Sequence, residues 1–159
     1  MKIAIGCDEA ACDLKDLIKK HLFSKGHQIV DFGTHNSQPV LYPDIAVAVA
    51  EAIVWGQLDR GILLCGTGIG MAISANKVNG IRAAQAHDTY SAERAAVSNN
   101  AQIITLGARV IGPELAKTIV DHFLASNFAG GNSARKVQAI AEYERLRQVL
   151  SADAMPPLA

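Results

Sequence analysis

The sequence predicts an α/β fold, a three-layer αβα sandwich on a parallel sheet. Two observations predict it. Short apolar runs of strand length alternate five times with longer segments in which apolar residues recur at helical spacing. Glycines stand at most of the junctions, where they are typical of helix ends and turns. This alternation favours parallel strands covered by helices on both faces.

The first half of the chain predicts three strands and two helices. In chain order these are a strand over residues 2–7, a helix over 10–25, a strand over 27–32, a polar loop over 34–41, a helix over 42–55 and the central strand over 61–65. The first helix rests on the spacing of Leu14, Ile18 and Leu22. Gly26 and Gly56 end the two helices.

The second half predicts two further strands and ends on a helix with no strand after it. In order these are a helix over residues 71–77, a strand over 81–86, a helix over 89–97, a strand over 102–106, a helix over 113–126 and a long helix over 134–150. The last helix either caps its own sheet or reaches a partner subunit. We expect one domain over residues 1–150 and a frayed tail over residues 151–159, which contain Pro156-Pro157.

Composition excludes several classes of function. The chain has 159 residues and no formal net charge, so it carries no electrostatic footprint for nucleic acid or an anionic membrane. No apolar run approaches the ~18 residues of a membrane span, and the first residues do not read as a signal peptide. Its three cysteines are an odd number at no metal-like spacing. We therefore expect reduced thiols, no metal and a cytoplasmic protein.

The most informative stretch follows the central strand. Cys65-Gly66-Thr67-Gly68-Ile69-Gly70 joins that strand to a helix. Backbone N–H groups of such a loop converge on one point, which suits an anion or a developing oxyanion, and a thiol there is favoured as thiolate. The glycines could instead reflect tight packing, and the cysteine could be a small buried hydrophobe. The full dinucleotide fingerprint and the P-loop lysine are both missing.

Other candidates follow strands, because ligands of parallel sheets bind at the carboxyl ends of the strands. Asp8 either caps the first helix or binds a substrate hydroxyl. His87 could serve near the site, and Arg109 could contact an anion. Cys7 lies inside a strand, so we expect it to be a buried structural thiol.

Several motifs together resemble one family of sugar isomerases. They are Gly6-Cys7-Asp8, Tyr42-Pro43-Asp44, Cys65-Gly66-Thr67-Gly68-Ile69-Gly70, Ala75-Asn76-Lys77, Gly80-Ile81-Arg82, Tyr90-Ser91-Ala92, Asn99-Asn100, Leu106-Gly107-Ala108-Arg109-Val110 and Gly130-Gly131. In this order and spacing the chain resembles ribose-5-phosphate isomerase type B and the galactose-6-phosphate isomerase subunits over roughly residues 2–147. The resemblance implies a five-stranded Rossmann-like sheet, no metal, no cofactor, and a homodimer or homotetramer whose active sites are shared between subunits.

The resemblance also implies roles for the candidates. An aldose and a ketose interconvert through a cis-enediolate, which needs a base at carbon and donors for the negative oxygen. Cys65 would be the base, Thr67 would assist ring opening or proton relay, and the N–H groups around Gly66, Gly68 and Gly70 would stabilise the enediolate. The residues implied to contact or position the sugar are Asp8, Tyr42, Asn99 and Arg109.

This sequence departs from the family at the positions that usually hold phosphate. Glu9 stands where a histidine is usual, and Asn132, Ser133 and Lys136 replace Arg, His and Arg. A carboxylate ~4 Å from a phosphate charge costs about 4 kcal/mol at an effective dielectric near 20. Ser98 replaces the histidine that usually opens the sugar ring, and His87 could take over that proton transfer.

We therefore predict an aldose–ketose isomerase of the ribose 5-phosphate type, with two alternatives kept open. One is an isomerase of an unphosphorylated sugar acid such as 4-deoxy-L-threo-5-hexosulose uronate, in which Glu9 and Lys136 would meet substrate in place of a phosphate grip. The other is a protein of a different class, either a nucleotide-binding module or a thiol redox protein in which Cys7 meets Cys65 across adjacent strands.

Overall fold

The computed structural model describes residues 1–150, apart from the side chain of Leu150, and the predicted tail at residues 151–159 lies outside them. The strands are β1 (Lys2–Cys7), β2 (Gln28–Asp31), β3 (Arg60–Cys65), β4 (Ala83–Gln85) and β5 (Ile103–Gly107). The helices are α1 (Cys12–Ser24, after a 3-10 turn at Glu9–Ala11), α2 (Tyr42–Val54), α3 (Ile69–Ala75), α4 (Thr89–Val97), α5 (Pro113–Ala125) and α6 (Asn132–Leu150).

All five strands are parallel, in the order β2-β1-β3-β5-β4. The predicted αβα fold is therefore confirmed. The chain moves outward from β1 to β2 and then returns to place β3 on the other side of β1. Parallel sheets bind ligands where the strand order reverses in this way, outside the carboxyl ends of the strands.

Apolar side chains fill a separate core on each face of the sheet. One core joins β1, β3 and β5 to α1, α4 and α5, and includes Ile5, Ile18 and Phe123. The other packs α2 and α3 against the opposite face and includes Val49 and Met71. The two cores hold the strand ends of the central sheet in a fixed register.

Two predicted elements have different bounds in the structure. α3 begins at Ile69, two residues before its predicted start, because Gly68 adopts a left-handed conformation (φ 82°) and serves as the N-cap. β4 has three residues in place of six, because it is an edge strand paired only with β5 and Ile81 belongs to the turn that closes on Val78.

The final helix has little cover within one subunit. The Glu144 carboxylate accepts a hydrogen bond from the Gly80 N–H (3.0 Å), but most described side chains of α6 are exposed. These include the apolar residues Ile140, Tyr143, Leu146 and Val149. Of the two predicted roles for this helix, capping of its own sheet accounts for only part of its surface.

A buried lysine anchors the outer strand. The Lys15 side chain is 1% exposed, and its Nζ lies 2.8 and 2.9 Å from the two Asp31 oxygens at the end of β2. Lys19 Nζ lies 2.6 Å from Asp31 Oδ2, and the Gly33 N–H donates to Asp31 Oδ1. Asp31 thus ties α1 to the turn after β2.

Replacing this carboxylate should destabilise the fold strongly. Asp31→Asn leaves the buried Lys15 ammonium with only the exposed Asp16 carboxylate, at 3.8 Å, and breaking a buried pair costs about 3–5 kcal/mol. Urea unfolding would measure the loss. The control is the double variant with Lys15→Met, which also removes the buried positive charge and should recover part of the lost stability. A single variant within about 1 kcal/mol of the parent would contradict the burial of this charge.

The same carboxylate predicts an acid limit of stability. Burial alone raises the pKa of Asp31, but the hydrogen bonds from Lys15, Lys19 and the Gly33 N–H outweigh it and hold the pKa at about 2. An aspartate carboxyl in an unfolded chain has a pKa of about 3.9. The contribution of Asp31 to the free energy of unfolding is therefore complete above about pH 4 and is lost as the pH falls toward 2. The Asp31→Asn variant should lack this part of the acid dependence.

Candidate active site

The carboxyl ends of three central strands meet at the point where the strand order reverses. Cys7 pairs in register with Leu64, and Cys65 pairs with Gly107. The Asp8 N–H donates to the Leu64 carbonyl (3.2 Å), and the Ala108 N–H donates to the Cys65 carbonyl (2.8 Å). The residues that follow β1, β3 and β5 are therefore neighbours at one edge of the sheet.

The Cys65 thiol is held against the backbone of its own loop. The Gly68 N–H donates to Cys65 Sγ at 3.0 Å. The positive end of this N–H dipole therefore points at the sulfur. The residue is only 6% exposed, because it packs in the core that α2 and α3 form with the sheet.

Close packing explains two glycines at the site. Gly68 has φ 82°, and a Cβ on it would lie 3.0–3.2 Å from the backbone of Leu106 in β5. A Cβ on Gly107 would lie 2.8 Å from the backbone of Thr67. The loop and the end of β5 therefore touch backbone to backbone, which fixes the height of the loop above the sheet.

Two predicted substrate-binding side chains border this loop. A Cβ on Gly70 would lie 2.7–2.8 Å from the Tyr42 ring and hydroxyl, so the tyrosine at the start of α2 lies directly against the loop. The Arg109 guanidinium covers Gly66, at 3.4 Å from the position of a Cβ there. Among the described residues no carboxylate lies within ion-pair distance of Arg109, which leaves its charge for an anion.

Thr67 is exposed at the top of the loop. Its Oγ1 accepts a hydrogen bond from the Ile69 N–H at 3.3 Å. The hydroxyl proton remains free to be donated to a bound molecule. The predicted catalytic pair, Cys65 and Thr67, is thus held by consecutive N–H groups of one loop.

Asp8 caps the first helical turn at the end of β1. Its Oδ1 accepts from the Ala10 N–H at 3.0 Å, which bears out the capping interpretation. Burial raises the pKa of Asp8, the neighbouring Glu9 adds to this rise, and the Ala10 N–H and the nearby Arg109 charge oppose it. The influence of Arg109 places the Asp8 carboxyl within electrostatic reach of the guanidinium.

The Glu9 carboxylate has a partner in the loop between β2 and α2. Its Oε2 accepts from the Val40 N–H at 3.3 Å. The residue is half-buried. Glu9 therefore holds the polar loop at residues 34–41 against the start of α1, in addition to adding a negative charge beside Asp8.

His87 contacts the end of β5. The Gly107 N–H donates to His87 Nε2 at 2.9 Å. This contact requires the Nε2 lone pair, so a neutral ring carries its proton on Nδ1. If His87 moves a proton during catalysis, Nδ1 is the atom available for it.

The cysteines do not form the pair that a thiol redox protein would need. Cys7 and Cys65 belong to the cores on opposite faces of the sheet. Cys7 is fully buried, as predicted, and burial raises the pKa of its thiol. The sulfur atom that Cys7 Sγ contacts is that of Cys12, at 3.9 Å, and not that of Cys65. The redox alternative that joined Cys7 to Cys65 is therefore wrong.

Residues 1–150 contain no group of three or more His, Cys, Asp or Glu side chains placed to hold a metal ion. No helix in the described part of the chain is long and apolar enough to cross a membrane.

Comparison with known proteins decides the family. The model of the ribose/galactose isomerase family matches residues 3–140. The D-erythrulose-4-phosphate isomerase of Pectobacterium atrosepticum is 59% identical over 145 residues, which are 91% of this chain and 95% of that protein. A ribose-5-P isomerase B of Listeria innocua is 54% identical, over 91% of this chain and 98% of that protein. The ribose-5-phosphate isomerase B structure from Clostridium thermocellum superposes with a TM-score of 0.91 at 46% identity, covering 92% of this chain and 99% of that one.

The chain belongs to the ribose/galactose isomerase family. The predicted resemblance is confirmed, and the protein is an aldose–ketose isomerase of carbohydrate metabolism. The comparisons give no support to the nucleotide-binding alternative.

Two of the predicted site residues do not join the others within one subunit of this isomerase. Asn99 precedes β5, so it lies at the amino edge of the sheet, where its carbonyl accepts from Arg82 Nε at 3.1 Å. The five residues of β5 span about 16 Å, which separates Asn99 from Cys65 at the opposite edge. Lys136 is exposed on α6, and no contact joins it to the residues around Cys65 in the described part of the chain.

Two polar side chains that the sequence did not single out touch the glycine loop. Gln85 at the end of β4 donates through Nε2 to the Thr67 carbonyl (2.7 Å), and Thr105 in β5 donates through Oγ1 to the Gly68 carbonyl (2.9 Å). The sequence carried a signal for one of them, because Thr105 is a polar residue within the apolar run Ile103-Ile104-Thr105-Leu106. A buried hydroxyl needs a partner, and in a parallel sheet the partner lies outside the strand ladder.

Proposed function

We propose that this isomerase interconverts the aldose and ketose forms of a short sugar phosphate of four or five carbons, with Cys65 as the base. The observation that carries the proposal is the Gly68 N–H directed at Cys65 Sγ, beside an unpaired Arg109, at the edge where the strand order reverses. A thiolate next to a cation suits the removal of a proton from carbon in an anionic substrate.

The reaction moves one proton between C1 and C2. The Cys65 thiolate takes the proton from one carbon, negative charge develops on the carbonyl oxygen, and the resulting thiol returns the proton to the other carbon. A second proton passes between O1 and O2, from the hydroxyl that becomes the new carbonyl to the former carbonyl oxygen. Because the first N–H groups of a helix have no partner within it, the Gly70 N–H at the start of α3 can stabilise that oxygen. The Gly68 N–H serves the sulfur, so we assign to Gly70 and Gly66 the enediolate role that we predicted for all three glycines.

The remaining residues hold the sugar. Tyr42 packs on Gly70 and presents its hydroxyl at the loop, and Arg109 covers Gly66, where it can bind the anionic end of the substrate. Asp8 can accept a hydrogen bond from a sugar hydroxyl beside Arg109. Thr67 donates its hydroxyl from the exposed top of the loop.

A four-carbon substrate accounts for one departure from the family pattern. In a tetrose 4-phosphate the hydroxyl that would close a five-membered ring is esterified, so the sugar stays open-chain. Such a substrate needs no ring-opening histidine, and Ser98 stands at that position here. The relative from Pectobacterium atrosepticum, named D-erythrulose-4-phosphate isomerase, supports this substrate class.

The second candidate is an unphosphorylated sugar acid. Glu9 favours it, because a carboxylate beside Asp8 repels a phosphate dianion more than a single negative charge. A uronate would place its carboxylate on Arg109 and is also able to react in the open-chain form.

We also propose a homodimer in the cytoplasm, with sites completed across the subunit interface. The exposed apolar residues of α6 support a partner surface, since an uncovered helix of this kind is unusual in a monomer. Asn99 supports it too, because only a second subunit can bring it to a Cys65. Lys136 would reach the substrate by the same route.

Turnover of three substrates tests the proposal. Initial rates are measured with D-erythrulose 4-phosphate, D-ribulose 5-phosphate and 4-deoxy-L-threo-5-hexosulose uronate, and proton transfer is followed by deuterium wash-in from heavy water. We expect kcat/KM to be highest for the four-carbon phosphate and at least about tenfold lower for the uronate, a difference of about 1.4 kcal/mol in transition-state binding.

The outcomes separate the candidates. Preference for the uronate selects the sugar-acid alternative. Efficient turnover of ribulose 5-phosphate with a low KM shows that neither Glu9 nor Ser98 restricts this site. Absence of deuterium from every sugar would overturn the proposed proton transfer.

A further inference from the structure

Two side chains outside the predicted site hold the carbonyl groups of the glycine loop. Gln85 Nε2 lies 2.7 Å from the Thr67 oxygen, and Thr105 Oγ1 lies 2.9 Å from the Gly68 oxygen. Thr105 is fully buried and comes from the central part of β5, whereas Gln85 is exposed at the end of the edge strand β4. The two donors thus come from adjacent strands and bind consecutive peptide groups.

Each of these peptide groups also contacts a proposed catalytic side chain. In a trans peptide, the carbonyl of one residue and the N–H of the next point in opposite directions. The peptide that accepts from Gln85 therefore directs the Gly68 N–H at Cys65 Sγ (3.0 Å). The peptide that accepts from Thr105 directs the Ile69 N–H at Thr67 Oγ1 (3.3 Å).

The arrangement forms two short hydrogen-bond chains. One runs from the Gln85 amide through the Thr67–Gly68 peptide to the Cys65 sulfur, and the other runs from the Thr105 hydroxyl through the Gly68–Ile69 peptide to the Thr67 hydroxyl. Successive hydrogen bonds in a chain polarise one another, so a donor on the carbonyl strengthens the N–H on the other side. The Gly68 carbonyl also accepts a hydrogen bond from the Ala72 N–H of α3 at 3.1 Å, so the helix and Thr105 together hold that peptide.

We propose that Gln85 and Thr105 are positioning residues that aim and polarise the two loop peptides, so that Gln85 stabilises the thiolate of Cys65 and Thr105 fixes the hydroxyl of Thr67. The inference rests on the proposed role of Cys65 as the base. It adds that the two predicted catalytic side chains are each supported by a side chain from a neighbouring strand, β4 or β5, that does not contact them directly.

Paired substitutions at Thr105 test the chain to Thr67. Thr105→Val keeps the shape of the side chain and removes the donor, whereas Thr105→Ser keeps the donor. The thiolate absorbance near 240 nm is titrated against pH, with the Cys65→Ser variant as the blank, and kcat/KM is measured over the same range. For Thr105→Val we expect the thiolate midpoint to stay where it is and kcat/KM to fall about tenfold at every pH, because the support of the Thr67 hydroxyl is lost. Thr105→Ser should stay within about twofold of the parent.

Gln85→Leu tests the chain to Cys65 and keeps the proposal testable if a variant in the buried strand fails to fold. Because this contact is exposed to water, we expect a modest upward shift of the thiolate midpoint, about half a pH unit, and a loss of about threefold in kcat/KM at pH 7 that recovers at higher pH. Gln57→Leu is the matched control, since Gln57 is exposed at the amino edge before β3. It should leave both the titration and the rate unchanged.

For Gln85, recovery at high pH distinguishes positioning from a merely structural role, since a displaced loop would lose activity at every pH. For Thr105, the distinguishing result is the recovery of activity in Thr105→Ser. An unchanged midpoint in Gln85→Leu, or full activity in Thr105→Val, with Cys65→Ser inactive, would overturn this inference and leave the proposed function standing. Full activity of Cys65→Ser would instead overturn the proposed base.

Discussion

Cys65→Ser is expected to reduce kcat/KM by about 10²–10⁴-fold, because a serine hydroxyl is a far weaker base at neutral pH than the thiolate that the Gly68 N–H stabilises. The side chains have similar size, and Cys65 packs in a core that tolerates a small residue. The loss should therefore appear in kcat, with KM little changed. Steady-state rates and deuterium wash-in would measure it.

Cys12→Ser is the matched control for this substitution. Cys12 is half-buried at the start of α1, and its Sγ contacts the Asn36 carbonyl at 3.1 Å, an acceptor that a serine hydroxyl also satisfies. This variant should keep the activity of the parent. If both variants retained activity, the base would be another group, and His87 Nδ1 would be the next candidate.

Gly68→Ala is expected to lower activity about 10²-fold or more and to destabilise the fold, because the loop cannot stay where it is with a side chain at this position. The new Cβ would lie 3.0–3.2 Å from the Leu106 backbone, in a fully buried strand that cannot move aside. The loop must shift instead, and a displacement of about 1 Å at reacting groups costs on the order of 10² in rate. Activity and thermal unfolding, measured on the same preparation, would test both parts.

Gly26→Ala isolates the contribution of the close contact. Gly26 has almost the same φ, 83°, but a Cβ there meets nothing within 4 Å. The control should lose about 1–2 kcal/mol of stability from the left-handed conformation alone and keep its activity. Equal effects of the two substitutions would mean that strain, not contact with Leu106, explains Gly68.

The predictions from sequence succeeded where a pattern is local. Strand and helix periodicity predicted all five strands of the sheet, and the Cys-Gly-Thr-Gly-x-Gly motif predicted the family. They were weaker at element ends. The start of α3 depends on the left-handed Gly68, and the length of β4 depends on its pairing with β5 alone. Both are properties of contacts that periodicity does not report.

The residues of the candidate site also fall into two groups, those that a local rule predicts and those that depend on contacts between distant segments. The strand-end rule predicted Asp8, Cys65 and Arg109 correctly as neighbours of the glycine loop, because it follows from the geometry of every parallel sheet. It could not predict that Asn99 lies at the opposite edge, since the resemblance supplied that residue without its position in one subunit. Nor could it predict that Glu9 binds the Val40 N–H, a contact between segments 31 residues apart.

By itself the sequence determined the αβα class, the family and the loop that carries the thiol, because periodicity and a short motif are encoded in neighbouring residues. Only the tertiary structure decided what surrounds that thiol. Gln85 and Thr105 reach the loop from strands that come later in the chain, and Cys7 lies on the other face of the sheet from Cys65. The physical reason is that hydrogen bonds and burial depend on which strands become neighbours, and the order β2-β1-β3-β5-β4 is set by packing across the whole sheet.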